Sequence, residues 1–161
     1  MSSRPIDPPK LGIEFAFRIR MELGVRQKIG RIPQGGIRGF VAAAGGEIEG
    51  PMLQGRVIPM SGGDWALYRD DDTVQFGAHY MLETHDGVQI YMQNRGYRHA
   101  PPEVAAKQER LEEVGFDEYY MRVTPTFETP VGKYDWMTRH LFVGCGERHA
   151  DHSYFHYYIV R

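Results

Sequence analysis

Cysteine is all but missing from this 161-residue chain: Cys145 stands alone, so no intrachain disulfide can form and no multi-cysteine zinc site exists. An excess of charge is missing as well. Nineteen Lys and Arg stand against twenty-one Asp and Glu, interspersed along the chain, for a net charge of −2. Without a basic field to track phosphates, nucleic acid is not an expected partner. No stretch approaches the roughly 18 consecutive apolar residues that cross a bilayer, and the polar, proline-rich opening MSSRPIDPPK has no apolar run of signal-peptide length. The expectation is a soluble protein of the reducing cytoplasm, with residues 1–10 as a flexible arm and 11–161 as one domain.

Aromatic residues and alternation are what the chain does have. Ten Tyr, eight Phe and two Trp favour strands and line small-molecule cavities. Leu11, Ile13, Phe15, Phe17, Ile19, Met21 and Leu23 fall at every second position, with Glu14, Arg18, Arg20 and Glu22 between them. A period of two means a strand with one buried face, whereas a helix would scatter these side chains around its circumference. Val74, Phe76, Ala78, Tyr80 and Leu82 alternate in the same way, as do Val88, Ile90 and Met92. Joining these two runs by a three-residue loop, His85-Asp86-Gly87, with Gly87 left-handed, sets Leu82 opposite Ile90 and Tyr80 opposite Met92. A two-residue loop would mix the faces.

Glycine punctuates residues 24–63, which predicts short strands near 38–43, 47–49 and 53–59 with bends between them. Neither Gly35-Gly36 nor Gly62-Gly63 precedes a helical pattern, so bends are expected there and not a phosphate loop. Pro101-Pro102 followed by EVAAKQERLEEV predicts one helix near 102–114, stopped by Gly115. Further strands are expected near 118–127, 139–144 and 153–160. The fold class is therefore all-β, an antiparallel β-barrel of about 8–10 strands whose interior takes the odd residues of 11–23 and the even residues of 74–92.

The segments GGEIEGPMLQGRVIPMSGGDW, YMLETHDGVQIYMQNRGYRH and YYMRVTPTFETPVGKYDWMTRHLFVGCGER resemble the successive signatures of domain of unknown function 3237, also called uncharacterised protein family 0311. The resemblance runs from about Leu11 to the C-terminus and implies a compact antiparallel β-barrel. It implies no reaction. The histidine-rich tail HADHSYFHYY departs from the family pattern.

Three segments carry residues suited to chemistry. Asp64-Trp65 follows Gly62-Gly63; an Asp beside apolar neighbours can be a general base, although a turn carboxylate bound to backbone N–H groups is the commoner fate. Arg95 and His99 end the second hairpin strand, where Arg95 suits a carboxylate or carbonyl ligand and His99 titrates near neutrality; a corner ion pair to Glu83 is the bland alternative. Arg122 shares a face with Tyr120 and Thr124, while Tyr134, Asp135 and Trp136 would either cap a cavity or, more commonly, pack in the core. If the sheet closes, Asp64, Tyr80, Arg95, His99, Arg122 and Trp136 can converge on one cavity. Asp64 and His99 are then the candidate catalytic residues, and Tyr80, Arg95, Arg122 and Trp136 the candidate ligand-binding ones.

His149, His152 and His156 invite a metal hypothesis. A strand puts only His152 and His156 on one side and turns Asp151 away, so no metal site is expected. No cofactor is expected either, and Cys145, between glycines, is expected to be buried and inert. Two functional classes follow: a barrel that binds a small, partly aromatic or carbonyl-containing anionic metabolite, with proton-transfer chemistry of an isomerase, lyase or hydrolase; or a non-catalytic self-association module. Met52, Met60, Met81 and several tyrosines outside the interior set predict a homodimer.

Overall fold

The protein is described here by a computed structural model covering residues 6–161. Part of the expected N-terminal arm lies outside the described residues; residues 6–12 form neither helix nor strand. Ten strands follow among the described residues: β1 (Ile13–Arg31), β2 (Ile37–Glu49), β3 (Gly55–Val57), β4 (Gly63–Asp64), β5 (Leu67–Tyr68), β6 (Val74–Thr84), β7 (Gln89–His99), β8 (Tyr120–Glu128), β9 (Phe142–Arg148) and β10 (His152–Val160). One α-helix, α1 (Pro102–Glu109), stands between β7 and β8.

Every pairing is antiparallel, and the ladder comes back on itself. From β1 it runs through β10, β9, β8, β7 and β6. The short strands β3, β4 and β5 then bridge β6 to β2, and β2 pairs with β1. A barrel-like sheet of this kind leaves little unpaired edge. The β6–β7 hairpin takes the register that alternation predicts, with Leu82 opposite Ile90 and Tyr80 opposite Met92. Gly87 has φ +84°, as its left-handed position in the three-residue loop requires.

One expected face is wrong at its start. Phe17, Ile19 and Met21 are buried, but Leu11, Ile13 and Phe15 are 80, 62 and 37% exposed. Against β10 the chain advances two residues, from Phe15 to Phe17, while its partner advances one, from Tyr158 to Tyr157. This bulge reverses the parity, so Phe15 lies outside, edge-on to Tyr158 at 5.7 Å.

Two other boundaries moved. The helix ends at Glu109 because Leu111 takes φ +60°, five residues before the expected stop. Residues expected to start a strand at Arg139 instead close a 3-10 helix, Asp135–Arg139, that buries Met137.

The interior is unevenly filled. At one end Phe17, Phe127, Phe142 and Tyr157 touch one another with ring centroids 5.1–6.4 Å apart, and Trp136 packs on Phe142 at 6.0 Å. Such aromatic packing adds about 0.5–1.5 kcal/mol per pair beyond area burial. Toward the other end the wall is built of Ala42, Ala43, Gly63, Ala66 and Ala78. Side chains that short cannot reach across a barrel, and a chamber remains.

Candidate functional site

The chamber has a volume of about 110 Å³. Met21, Leu23, Val41, Phe76, Met121 and Phe155 supply apolar wall, while Asp64, Tyr80, Asn94, Arg98 and Arg148 bring the polar groups. It opens into a vestibule of about 670 Å³, and Arg26, Tyr68, Arg98 and Arg148 line both spaces, which makes them the neck.

Asp64 is held in the wall by β4, two residues long, which pairs on one side with β2 (Val41 opposite Asp64) and on the other with β6 (Asp64 opposite Ala78). Close approach is possible because a Cβ on Gly62 would strike the His79 carbonyl, and one on Gly63 the Val41 carbonyl and the Phe40 ring. Trp65, 45% exposed, packs on Phe40 in a tilted arrangement with centroids 4.4 Å apart. Asp64 Oδ1 accepts the Gly77 backbone N–H at 2.9 Å. Burial pushes the carboxyl up to about 6, against smaller lowering effects of that hydrogen bond, Arg98 and Arg38.

Arg98 is set deep in the neck. Burial, with the like charge of Arg148, lowers its guanidinium to about 10, and Tyr68, Tyr119 and Asp64 offset this in part. It stays protonated at neutral pH, yet no carboxylate among the described residues comes within ion-pair distance of it. Arg148 is placed by α1: its Nη1 donates to the Gln108 carbonyl at 2.6 Å, while the Tyr119 hydroxyl accepts its backbone N–H at 2.9 Å. Burying a cation without an ion-paired carboxylate is costly, and an anion beside it would offset that cost.

The six candidate residues do not converge. Asp64 and Tyr80 line the chamber, and His99 reaches only the vestibule rim, where it stacks on Tyr120 at 4.9 Å. Arg95 and Arg122 lie together in a groove on the outside of the sheet, with Tyr97, Tyr120 and Tyr158. Arg122 rests over the rings of Phe116 and Tyr120. Trp136 packs among the core aromatics at the filled end. The cause is strand parity: interior positions on β7 are even, so Arg95 faces out and Arg98 faces in. Arg98 was legible from the same alternation that buries Ile90, Met92 and Asn94; Arg148 was not, since its direction depends on α1.

The histidines also differ from expectation. Carboxylates do lie beside them: Glu147 Oε1 is 2.8 Å from His156 Nε2, Glu113 Oε2 is 3.0 Å from His149 Nδ1, and Asp151 Oδ1 is 2.7 Å from His152 Nδ1. Even so, no group of three or more His, Cys, Asp or Glu among the described residues is arranged to hold a metal ion. Cys145 is only half-buried and lines the outer groove.

Fold and chamber define a class, the antiparallel barrel-like protein with a polar-lined interior pocket. Within that class the chain belongs to the family described as "Protein of unknown function (DUF3237)", which matches residues 11–161. It is 36% identical over 143 residues to the UPF0311 protein RPA1785 of Rhodopseudomonas palustris, covering 89% of this chain and 92% of that protein. The crystal structure of RPA1785, a conserved protein of unknown function, superposes with a TM-score of 0.91 at 34% identity, covering 96% of this chain and all of that one. A beta-barrel like protein from Acinetobacter baumannii gives 0.83 at 29% identity, covering 98% of this chain and all of the other. An enzyme from Penicillium herquei shares the fold at a TM-score of 0.71 and 21% identity, with both chains fully covered. No helix among the described residues is long and apolar enough to cross a membrane.

Proposed function

We propose that the chamber binds a small anionic compound bearing a ring or carbonyl group, and that Asp64 exchanges a proton with it. One observation carries the reading: Asp64, a half-buried carboxyl titrating near 6, shares a cavity with Arg98, a cation with no carboxylate at ion-pair distance among the described residues. A base of that strength is ionised at neutral pH yet basic enough to accept a proton from a bound molecule. Arg98 and Arg148 at the neck hold the anionic group, and the alanine-walled chamber takes the uncharged end. A chamber of 110 Å³ suits about one ring, near the size of cavities that admit benzene.

Calorimetric titration with benzoate tests the reading. Binding is expected, and Arg98→Ala should weaken it by about 1.5–3 kcal/mol, the scale of a hydrogen bond to a charged group. Absence of benzoate binding in the millimolar range would remove the basis for an anion site.

The outer face supports a second reading, self-association of the chain. Ile13, Tyr97, Tyr120 and Val143 are exposed along the groove that holds Arg95 and Arg122. Of the methionines expected to drive it, Met60 is 91% exposed, while Met52 and Met81 are partly buried. Sedimentation of the protein at micromolar concentration should show a homodimer, and Tyr120→Glu should dissociate it; an 18.5 kDa species alone contradicts this reading.

A further inference from the structure

The proposed site contains a hydroxyl proton that nothing in the protein accepts. Tyr80 is buried, and its O–H finds no acceptor among the described residues. Its neighbour Tyr157 is fully buried, with a hydroxyl adjacent to that of Tyr80. Behind Tyr157 stands Asn94, also buried, whose Nδ2 donates to the Tyr157 oxygen at 2.9 Å.

This order sets a direction. An amide NH₂ can only donate, so the Tyr157 oxygen accepts from Asn94 and the Tyr157 proton is left to turn toward the Tyr80 oxygen. Tyr80, accepting there, has its own proton left over. The remaining space beside it is the chamber, which Asp64 also lines from the neighbouring strand β4. A buried O–H with no acceptor is costly, and a ligand oxygen would satisfy it.

Resting on the reading that the chamber is a ligand site with Asp64 as its base, we propose that its substrate is a carbonyl compound with an acidic neighbouring C–H, and that Tyr80 donates to the carbonyl oxygen. The Asp64 carboxylate takes the proton from the carbon beside the carbonyl. The C–H electron pair becomes a C=C π bond, and the carbonyl π pair moves onto oxygen. The enolate oxygen so formed is held by the Tyr80 O–H, whose hydrogen bond strengthens as charge develops. Protonated Asp64 then returns the proton to the same carbon or to a conjugated one, giving an epimer or a positional isomer, with no oxidant or reductant needed. Tyr80 is catalytic in this scheme; Tyr157 and Asn94 are positioning residues that aim its proton. The charged and titratable groups near Asp64 are Arg38 from β2, Tyr80 from β6 and Arg98 from β7, and Arg26 and Arg148 line the same chamber.

The experiment uses 4-nitrophenol as an enolate mimic and Asp64→Asn as the background, so that no carboxylate repels the phenolate. Binding is read from the absorbance of the bound phenolate, and benzoate titrations run in parallel. Phenolate should bind; Tyr80→Phe should weaken it tenfold or more and shift the absorbance of the bound dye, with benzoate affinity unchanged. Tyr157→Phe and Asn94→Leu should each weaken phenolate several-fold by the same spectral direction. Deuterium from D₂O should also enter the CH₂ of phenylpyruvate with the natural protein, and tenfold more slowly or worse with Tyr80→Phe. Benzoate binding together with phenolate affinity that stays within twofold in Tyr80→Phe and Tyr157→Phe overturns the carbonyl assignment alone. Failure of benzoate and phenolate together overturns the ligand site and this proposal with it.

Discussion

The backbone N–H of Gly77 donates to Oδ1 of Asp64 across 2.9 Å, tying a side chain of the two-residue strand β4 to the middle of β6. It is the one hydrogen bond that holds this carboxylate among the described residues, and Asp64 also lines the chamber. Geometry and titration are thus set by the same few atoms, and the first prediction concerns them.

Asp64 has an ordinary carboxyl value of 3.8 when the chain is unfolded and about 6 when folded. Between these values the folded protein binds more protons than the unfolded one. The contribution of Asp64 to stability is therefore most favourable below about pH 4, declines as pH rises to 6, and is level above it. Asp64→Asn keeps an acceptor for Gly77 and abolishes the decline. At pH 7 the variant should be more stable than the natural protein by up to about 3 kcal/mol, and equal to it near pH 4. Urea unfolding at several pH values measures this; a difference that does not grow with pH would contradict it.

Asp86 should show the opposite dependence. Its carboxylate accepts from Thr84 Oγ1 at 2.6 Å, the Tyr134 hydroxyl at 2.6 Å and Lys133 Nζ at 2.9 Å, and these hydrogen bonds hold its carboxyl well below the usual range. A depressed value means stabilisation that is present at neutral pH and lost as acid protonates the folded group. Asp86→Asn should lower the melting temperature at pH 7, with the gap to the natural protein closing toward pH 2. A gap of constant size would show that these contacts contribute through packing alone.

If the proposed site holds an anion, Arg98 should affect affinity and stability with opposite signs. Arg98→Met removes a sunken, unpaired cation and keeps apolar bulk in the neck. The ligand-free variant should unfold at the same or a higher urea concentration, while benzoate affinity falls tenfold or more. If stability and affinity fall together, Arg98 is a structural residue.

Two glycines separate close approach from mere flexibility. A Cβ on Gly63 would press into the Val41 carbonyl and the Phe40 ring, whereas one on Gly77 would meet nothing nearer than the Trp65 carbonyl at 3.6 Å. Gly63→Ala should destabilise by about 2 kcal/mol or more, and Gly77→Ala by less than about 0.5 kcal/mol. Similar melting curves for the two variants would contradict the account of how β4 is held.

Alternation made much of the fold legible. The pairs Tyr80–Met92 and Leu82–Ile90 follow from period two and one left-handed glycine, because a slip of one residue would turn every apolar side chain to water. The same logic failed at Leu11, Ile13 and Phe15, where an apolar side chain fits either the interior or the exposed outer groove and the pattern carries no mark of a bulge. For the site, Asp64 and Tyr80 were readable as chamber residues, but Arg95 was chosen over Arg98 although its parity points outward. The helix stop was misplaced because Gly115 is a stronger local signal than Leu111, whose left-handed φ follows from how the chain leaves α1.

By itself the sequence determined the β-rich class, the register of the β6–β7 hairpin and the family, since each depends on neighbours in the chain or on one repeating period. Tertiary structure decided where the space lies. A chamber exists because alanines and glycines from β2, β4 and β6 meet at one end of the barrel while four aromatic rings meet at the other. Tertiary structure also decided which charges are perturbed: Asp64 titrates near 6 and Arg98 is lowered to about 10 because the folded sheet removes water from both, and desolvation is a property of the barrel-like sheet, not of any residue read singly.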